Sequence, residues 1–311
     1  MLNKRYSILN RVKLFFCINL LYFILRFHFP LKILLCTIAK EENKYIKEFV
    51  EHYQKLKVNK IIIYDNNDID SENFTDILKN EISNNFVKII NYRGFERPQK
   101  KALNDCYERN NKRYDWIAFY DVDEFLHIIN YTDLNKFMSL KRFKKCQSIL
   151  INWKYYGDND LLYYEPKPLS ERFTKPFYFN NIQKSFKKKK SFKRKVSAAK
   201  TIVRGGLKIK WRYLPHYLKN TINCRPDGSI LYNYLSPPQY SIAYLSHYIT
   251  KSTEEFAGRL IRGDVLLNSR RKIYIKKRIF QYYFLINSKT KEKVDLFRKI
   301  LKHKINLDLD E

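Results

Sequence analysis

The tripeptide Asp121-Val122-Asp123 offers the sharpest chemistry in the chain. In an extended segment, side chains at i and i+2 point the same way, so the two carboxylates share a face and Val122 takes the other. Two oxygens on one side suit a hard divalent cation, Mn²⁺ or Mg²⁺, which keeps positions open for phosphate oxygens. The same residues also read as a solvated acidic turn after a strand. The apolar run Trp116 to Tyr120 before them and Phe125-Leu126 after them favour the site. Two more polar clusters follow apolar runs: Thr37-Ile38-Ala39-Lys40-Glu41-Glu42 and Asp65-Asn66-Asn67. Asp65 could accept hydrogen bonds from a nucleotide base or ribose, or the triplet could make an Asx turn or cap a helix. Of the histidines, His52, His127 and His303 read as structural or surface residues. His28 lies in an apolar stretch, His216 follows Pro215, and His247 sits in Leu245-Ser246-His247-Tyr248. Lys251 and Arg262 could meet a diphosphate, but in so basic a chain a single cation carries little weight.

Such clusters converge only if the elements before them lie side by side. Leu31 to Ile38, Lys60 to Tyr64, Phe86 to Asn91 and Trp116 to Tyr120 read as buried strands. Between them, Asn43 to Leu56 and Arg97 to Asn111 read as amphipathic helices, and Phe74 to Ile82 as a weaker one. Alternating strands and helices predict an α/β fold with a mostly parallel sheet flanked by helices. Ligands bind beyond the carboxyl ends of such strands, where all three clusters lie. Ser148 to Trp153 adds a strand, and after it the pattern loosens. Ser252 to Leu267 reads as a helix opened by a Ser252-x-x-Glu255 capping box. Lys291 to His303 forms a basic amphipathic helix with Val294, Phe297, Ile300 and Leu301 as its stripe. The expected organisation is an apolar and basic segment over 1–30, one α/β domain over 31–270 and a helical extension over 271–311.

The chain has 311 residues, 45% apolar and 30% charged, with 7 Gly and 9 Pro. That excludes collagen-like, linker-like and mostly disordered chains. Its net charge of +30 favours polyanions: nucleic acid, an anionic membrane face or a phosphorylated substrate. The abundance of Lys, Asn, Ile and Tyr also fits a compositionally biased genome. Lys184 to Lys195 interleaves cations with Phe186 and Phe192, as a single-strand nucleic-acid groove does; with no recognition module in the chain, a solvated or membrane-facing loop is the favoured reading. Cys17, Cys36, Cys106, Cys146 and Cys224 are odd in number, widely spaced and without C-x-x-C, so packed, reduced thiols in the cytosol are expected. Leu14 to Leu25 is apolar apart from Asn19, shorter than the ~20 residues of a membrane span, and flanked by Arg11, Lys13 and Arg26. It reads first as an interfacial helix on the inner face of an anionic membrane, then as a helix packed on the domain or a short signal anchor.

The ordered motifs Cys36-Thr37-Ile38-Ala39-Lys40 through Glu42-Asn43, Tyr64-Asp65-Asn66-Asn67, Asp121-Val122-Asp123-Glu124-Phe125, His247 to Ser252 and Arg262-Gly263-Asp264 resemble family 92 and family 2-like glycosyltransferases. The resemblance runs over roughly residues 31 to 265. It implies a GT-A type, Rossmann-like fold with a C-terminal helical elaboration. It also implies a nucleotide-sugar donor, usually UDP-linked, a divalent metal at D-x-D, and inversion at the anomeric carbon. Thr37, Lys40, Glu42, Asp65, Asn66 and Asn67 would then belong to the donor site. Asp121 and Asp123 would bind metal and diphosphate, His247 would lie beside them, and Lys251 and Arg262 near the phosphates. The chain departs from the family at Glu41, where Asn is usual, and at Asp68, where a small hydroxyl residue is usual. Inversion needs a base for the acceptor hydroxyl, and Asp158 and Glu124 are candidates by location. The acceptor would be a glycan or glycolipid. The competing readings are a basic nucleic-acid-binding protein, and nucleotidyl or phosphosugar transfer on the same fold.

Overall fold

All seven residues of Ile33–Ala39 (β1) are buried, as a continuous apolar run requires when helices cover both faces of a parallel sheet. The computed structural model describes residues 30–96, 98–178, 198–209, 216–233, 236–262 and 280–305. Leu14–Leu25 and the basic tract 184–195 lie outside them. Among the described residues, no helix is long and apolar enough to cross a membrane.

The other strands are Lys60–Asp65 (β2), Val87–Asn91 (β3), Trp116–Phe119 (β4), Glu124–Ile128 (β5), Ser148–Tyr156 (β6), Pro176–Phe177 (β7), Ala199–Arg204 (β8), Asn223–Cys224 (β9) and Ala243–His247 (β10). They run in the order β3-β2-β1-β4-β8-β6-β10-β5, with β7 and β9 also pairing β6. The first half is parallel, as expected: β1 pairs both β2 and β4, and β2 pairs β3. The second half is mixed. β8 runs antiparallel to β4 and to β6, and β10 is parallel to β6 but antiparallel to β5. The register Ala39↔Asp65 ends β1 and β2 together, so their two polar clusters emerge side by side.

Ile46–Lys55 packs Ile46, Phe49, Val50 and Tyr53 inward. Gln99–Asn110 covers the other face with Ala102, Leu103, Cys106 and Tyr107. The helix expected over Phe74 to Ile82 is two short ones, Phe74–Ile77 and Lys79–Ser83, broken at Leu78. Thr253–Arg262 starts where the capping box places it: the Ser252 amide donates to Glu255 Oε2 at 3.0 Å, and the Glu255 amide donates to Ser252 Oγ at 3.3 Å. Helix Lys291–Ile305 turns Phe297 and Leu301 of its apolar stripe onto Phe256, Leu260 and Tyr283, with Ile300 packed against them.

The thiol expectation is overturned. Cys36 bridges Cys106 across 70 residues, and Cys146 bridges Cys224 across 78. The wide spacing conceals both pairings, because the fold packs helix Gln99–Asn110 on β1 and sets β9 beside β6 at Ile149↔Cys224. The cysteine argument for a reducing compartment lapses with it.

Candidate active site

Asp121 to Glu124 is a tight turn, not the extended segment expected. The Glu124 amide donates to the Asp121 carbonyl and the Asp121 amide to Glu124 Oε2, both at 3.0 Å. The two carboxylates of D-x-D are therefore not a matched pair. Asp121 Oδ2 accepts from Lys200 Nζ at 2.7 Å. Asp123 Oδ2 lies 3.6 Å from His247 Nε2 and 3.8 Å from Arg259. The strand register His247↔Glu124, with the Tyr248 amide donating to the Asp123 carbonyl at 3.0 Å, fixes that approach. Burial alone would push the Asp123 carboxyl up, but His247, then Lys251 and Arg259, outweigh it and hold it well below the usual range.

Asp123, Glu124 and His247 bring one ligand atom each within 4.8 Å of one another. Asp121 is outside that group, which corrects its expected place beside Asp123. Glu124 is wholly buried, and burial pushes its carboxyl well up despite Lys200. Its Oε1 and His247 Nδ1 are buried without hydrogen-bond partners; Lys200 Nζ lies 3.3 Å from Oε1 without hydrogen-bond geometry. Two carboxylates and an imidazole, with an unmet polar atom on Glu124 and another on His247, fit a cation such as Mn²⁺ or Mg²⁺. Rings enclose the histidine: Trp153 and Tyr155 lie 4.4 and 5.4 Å from it, centroid to centroid.

The first two clusters do converge. Arg262 donates to Glu42 Oε1 at 2.9 Å and to the Lys40 carbonyl, while Lys251 lies 3.5 Å from Glu42 Oε2 and 3.6 Å over the Tyr45 ring. Glu41 and Lys251 both hold positive φ, at 52°. Non-glycine residues accept that conformation at a cost when the surroundings impose it. The Glu41 amide is held by Asn67 Oδ1 at 2.6 Å. Asp65 makes the Asx turn, its Oδ1 accepting from the Asn67 amide at 3.0 Å, while its Oδ2 accepts from Arg93 at 2.9 Å. Asn66 donates to the Tyr92 and Phe95 carbonyls. Thr37 Oγ1 and Asn67 Nδ2 are buried with no partner. Lys40 reaches outward to Asp68 at 2.7 Å.

Both candidate bases are buried, at 3% and 0% exposure for Asp158 and Glu124. Asp158 is 4% exposed in its side chain and paired with Lys293 Nζ at 2.7 Å; Tyr283 donates to the same oxygen, and the Asp160 amide to the other. It anchors the C-terminal helices. Glu124 is sealed from any acceptor. Residues that sequence reasoning passed over are Lys200, Arg259, Arg93 and Trp153. Arg259 stands one turn before Arg262 on the same helix, and Lys200 is the one ionisable side chain among the buried residues of Ala199–Val203. Those are the signals that could have found them. A cavity of about 360 Å³ beside β2 and β3, lined by Lys60, Lys88, Arg109 and Arg113 among others, contains none of these residues.

The sequence profile of glycosyltransferase family 92 matches residues 33–289. A family 92 protein of Ricinus communis is 29% identical over 102 residues, covering 32% of this chain and 18% of the relative. One of Oryza sativa subsp. japonica is 25% identical over 93 residues, covering 30% and 15%. The alignments thus span less than a fifth of either plant relative. Among solved structures, S. aureus TarS 1-349 in complex with UDP-GlcNAc shares 14% identity over 88% of this chain and 81% of its own, at a TM-score of 0.39. A Pyrobaculum calidifontis mannosyltransferase with GDP-Man and Mn²⁺ shares 10% over 40% and 36%, at 0.31.

Proposed function

The chain belongs to glycosyltransferase family 92, and from that premise we propose that it moves a sugar from a UDP-linked donor to a hydroxyl of a glycan or glycolipid, with a divalent cation and with inversion. One observation carries the reading: Asp123, Glu124 and His247 converge within 4.8 Å at the edge of a cationic loop system. Asp123 and His247, with Glu124 behind them, would hold Mn²⁺ or Mg²⁺. When bound, the cation supplies charge against a departing diphosphate. Lys251 and Arg259 add fixed positive charge in the same place, already oriented by Tyr45 and the Ile249 carbonyl. Preorganised charge of this kind stabilises a leaving group without reorganisation at the moment of bond breaking. The Asx turn at Asp65, braced by Arg93, lies beside the end of β1, where a nucleoside would be read.

Docking on an anionic membrane remains part of this proposal, and it rests on the sequence of Leu14–Leu25 and on the net charge of +30. The C-terminal helix no longer supports it.

The test is nucleotide release across UDP- and GDP-sugars, with Mn²⁺ or with chelator, with and without oligosaccharide and lipid-linked acceptors. UDP release with Mn²⁺ is expected, and Asp123→Ala should lower it by roughly a hundredfold with melting temperature retained. Full activity of that variant, or in excess chelator, would remove the cation from the mechanism. Release of pyrophosphate in place of UDP would favour nucleotidyl transfer.

A further inference from the structure

Lys200 occupies an unusual place for a lysine. It lies on β8, between β4 and β6, opposite Ile151, with 2% of its side chain exposed. A buried ammonium is tolerated only when paired. Here the pairing is double: Asp121 Oδ2 at 2.7 Å and Glu124 Oε1 at 3.3 Å, with the Trp153 ring centroid 5.8 Å away. The Asp121–Glu124 turn makes this possible, because its two hydrogen bonds fold both carboxylates toward β8 and leave Asp123 to His247 and Arg259.

We infer that Lys200 is a resident cation of the active site: it holds Asp121 and shares Glu124, so that the metal is ligated by Asp123 and His247 and not by the first carboxylate of D-x-D. The inference rests on the metal-assisted transfer proposed above. Lys200 is a positioning residue. It keeps the acidic cluster from standing bare when no metal is bound, and it lowers the negative charge that an arriving divalent cation meets. The free protein should therefore bind Mn²⁺ modestly, and the cation should gain its remaining ligands from the donor's phosphates.

The experiment is Mn²⁺ binding to the full chain, read by the loss of the free Mn²⁺ signal in electron paramagnetic resonance, with and without UDP. Asp121→Asn should stay within about twofold of wild type, whereas Asp123→Asn should weaken binding by about tenfold or more, since losing a ligand costs at least what losing a ligand's supporting partner does. Lys200→Met should tighten binding by about threefold or more, since Asp121 loses its fixed counter-charge and the site loses a neighbouring positive charge. Equal weakening by Asp121→Asn and Asp123→Asn would make Asp121 a ligand and overturn the assignment, as would a folded Lys200→Met with unchanged affinity. If Lys200→Met does not fold, the two aspartate variants decide alone. A wild-type protein that binds no Mn²⁺, even with UDP, refutes the metal reading of the function and this assignment together; a wild type that binds it, with both aspartates equal, refutes the assignment alone.

Discussion

Asp158→Asn separates anchor from base. The substitution keeps the side chain's shape and removes its charge. Lys293, 1% exposed, would then lose its 2.7 Å partner and keep the Ser288 hydroxyl and one carboxylate, Asp160, which is 62% exposed. Breaking a buried pair on one side costs about 3–5 kcal/mol, because the remaining charge stays buried. The surviving contact to Asp160 puts this case at the lower end, near ~3 kcal/mol. For a chain of this size, each kcal/mol moves the melting temperature by about 2–4 °C, so a fall of roughly 6–12 °C is expected. Lys293→Met should do similar damage from the other side, leaving Asp158 unpaired. The double variant should recover part of the loss, since neither charge is then stranded. Turnover per folded molecule should stay close to wild type, measured by UDP release well below the melting transition. A loss of roughly a hundredfold in turnover at an unchanged melting temperature would refute the reasoning and restore Asp158 as the base.

Peptide mapping without reductant should recover Cys36 joined to Cys106 and Cys146 joined to Cys224. Reduction should cost about 4 kcal/mol per bridge in the chain-entropy account, read by urea unfolding, and free thiols in protein isolated from its own cell would return the domain to a reducing compartment. Acid should weaken the fold through His52, whose pKa burial pushes down to about 4. The unfolded chain takes up that proton near pH 6.5 and the native state only near 4, so stability falls as pH drops through that window. The loss is about 1 kcal/mol between pH 7 and 5.5 and about 3 below 4, and unfolding free energies that do not fall over this range would contradict it.

The sequence makes the parallel half of the sheet legible and the mixed half nearly opaque, for a physical reason. β1, β2 and β4 are covered on both faces, so each is a continuous apolar run that stands out against its flanks. β8 and β10 carry Lys200 and His247 inside them, because they deliver those groups to the cluster, and the functional side chains erase the apolar signal. The D-x-D motif is legible as a position and misread as a shape. Alternation predicts one shared face, but the backbone closes into a turn, and the partner that makes the turn worthwhile is Lys200, 79 residues away. The same holds for Asp158, whose placement after a strand resembles that of a catalytic acid until helix Lys291–Ile305 is brought against it. Spacing records what lies along the chain, and neither cross-chain pairing leaves a trace in it.

Helix Thr253–Arg262 shows how far the site depends on such long-range packing. Its first turn carries Glu255, which takes both guanidinium nitrogens of buried Arg172, at 2.8 and 3.1 Å, and the Tyr45 hydroxyl. Burial would raise the Glu255 carboxyl, but Arg172, Ser252 and Tyr45 hold it low. Its middle turn sends Arg259 to Asp123, and its last turn sends Arg262 to Glu42 and the Lys40 carbonyl. Its apolar face, Phe256, Ala257 and Leu260, is buried with Tyr283 and Phe297 from the C-terminal helices. One helix thus sets the distance between the loop after β1 and the turn after β4, while its own position is set by residues 280–305. The C-terminal helices have no side chain in the acidic cluster among the described residues, yet the spacing of the cations that face Asp123 follows from how they pack. With Asp158 lost, the face of Phe256, Leu260 and Phe297 still holds this helix well below the melting transition, so only a cut into that apolar contact itself should reach the chemistry through Arg259 and Arg262 before it unfolds the sheet.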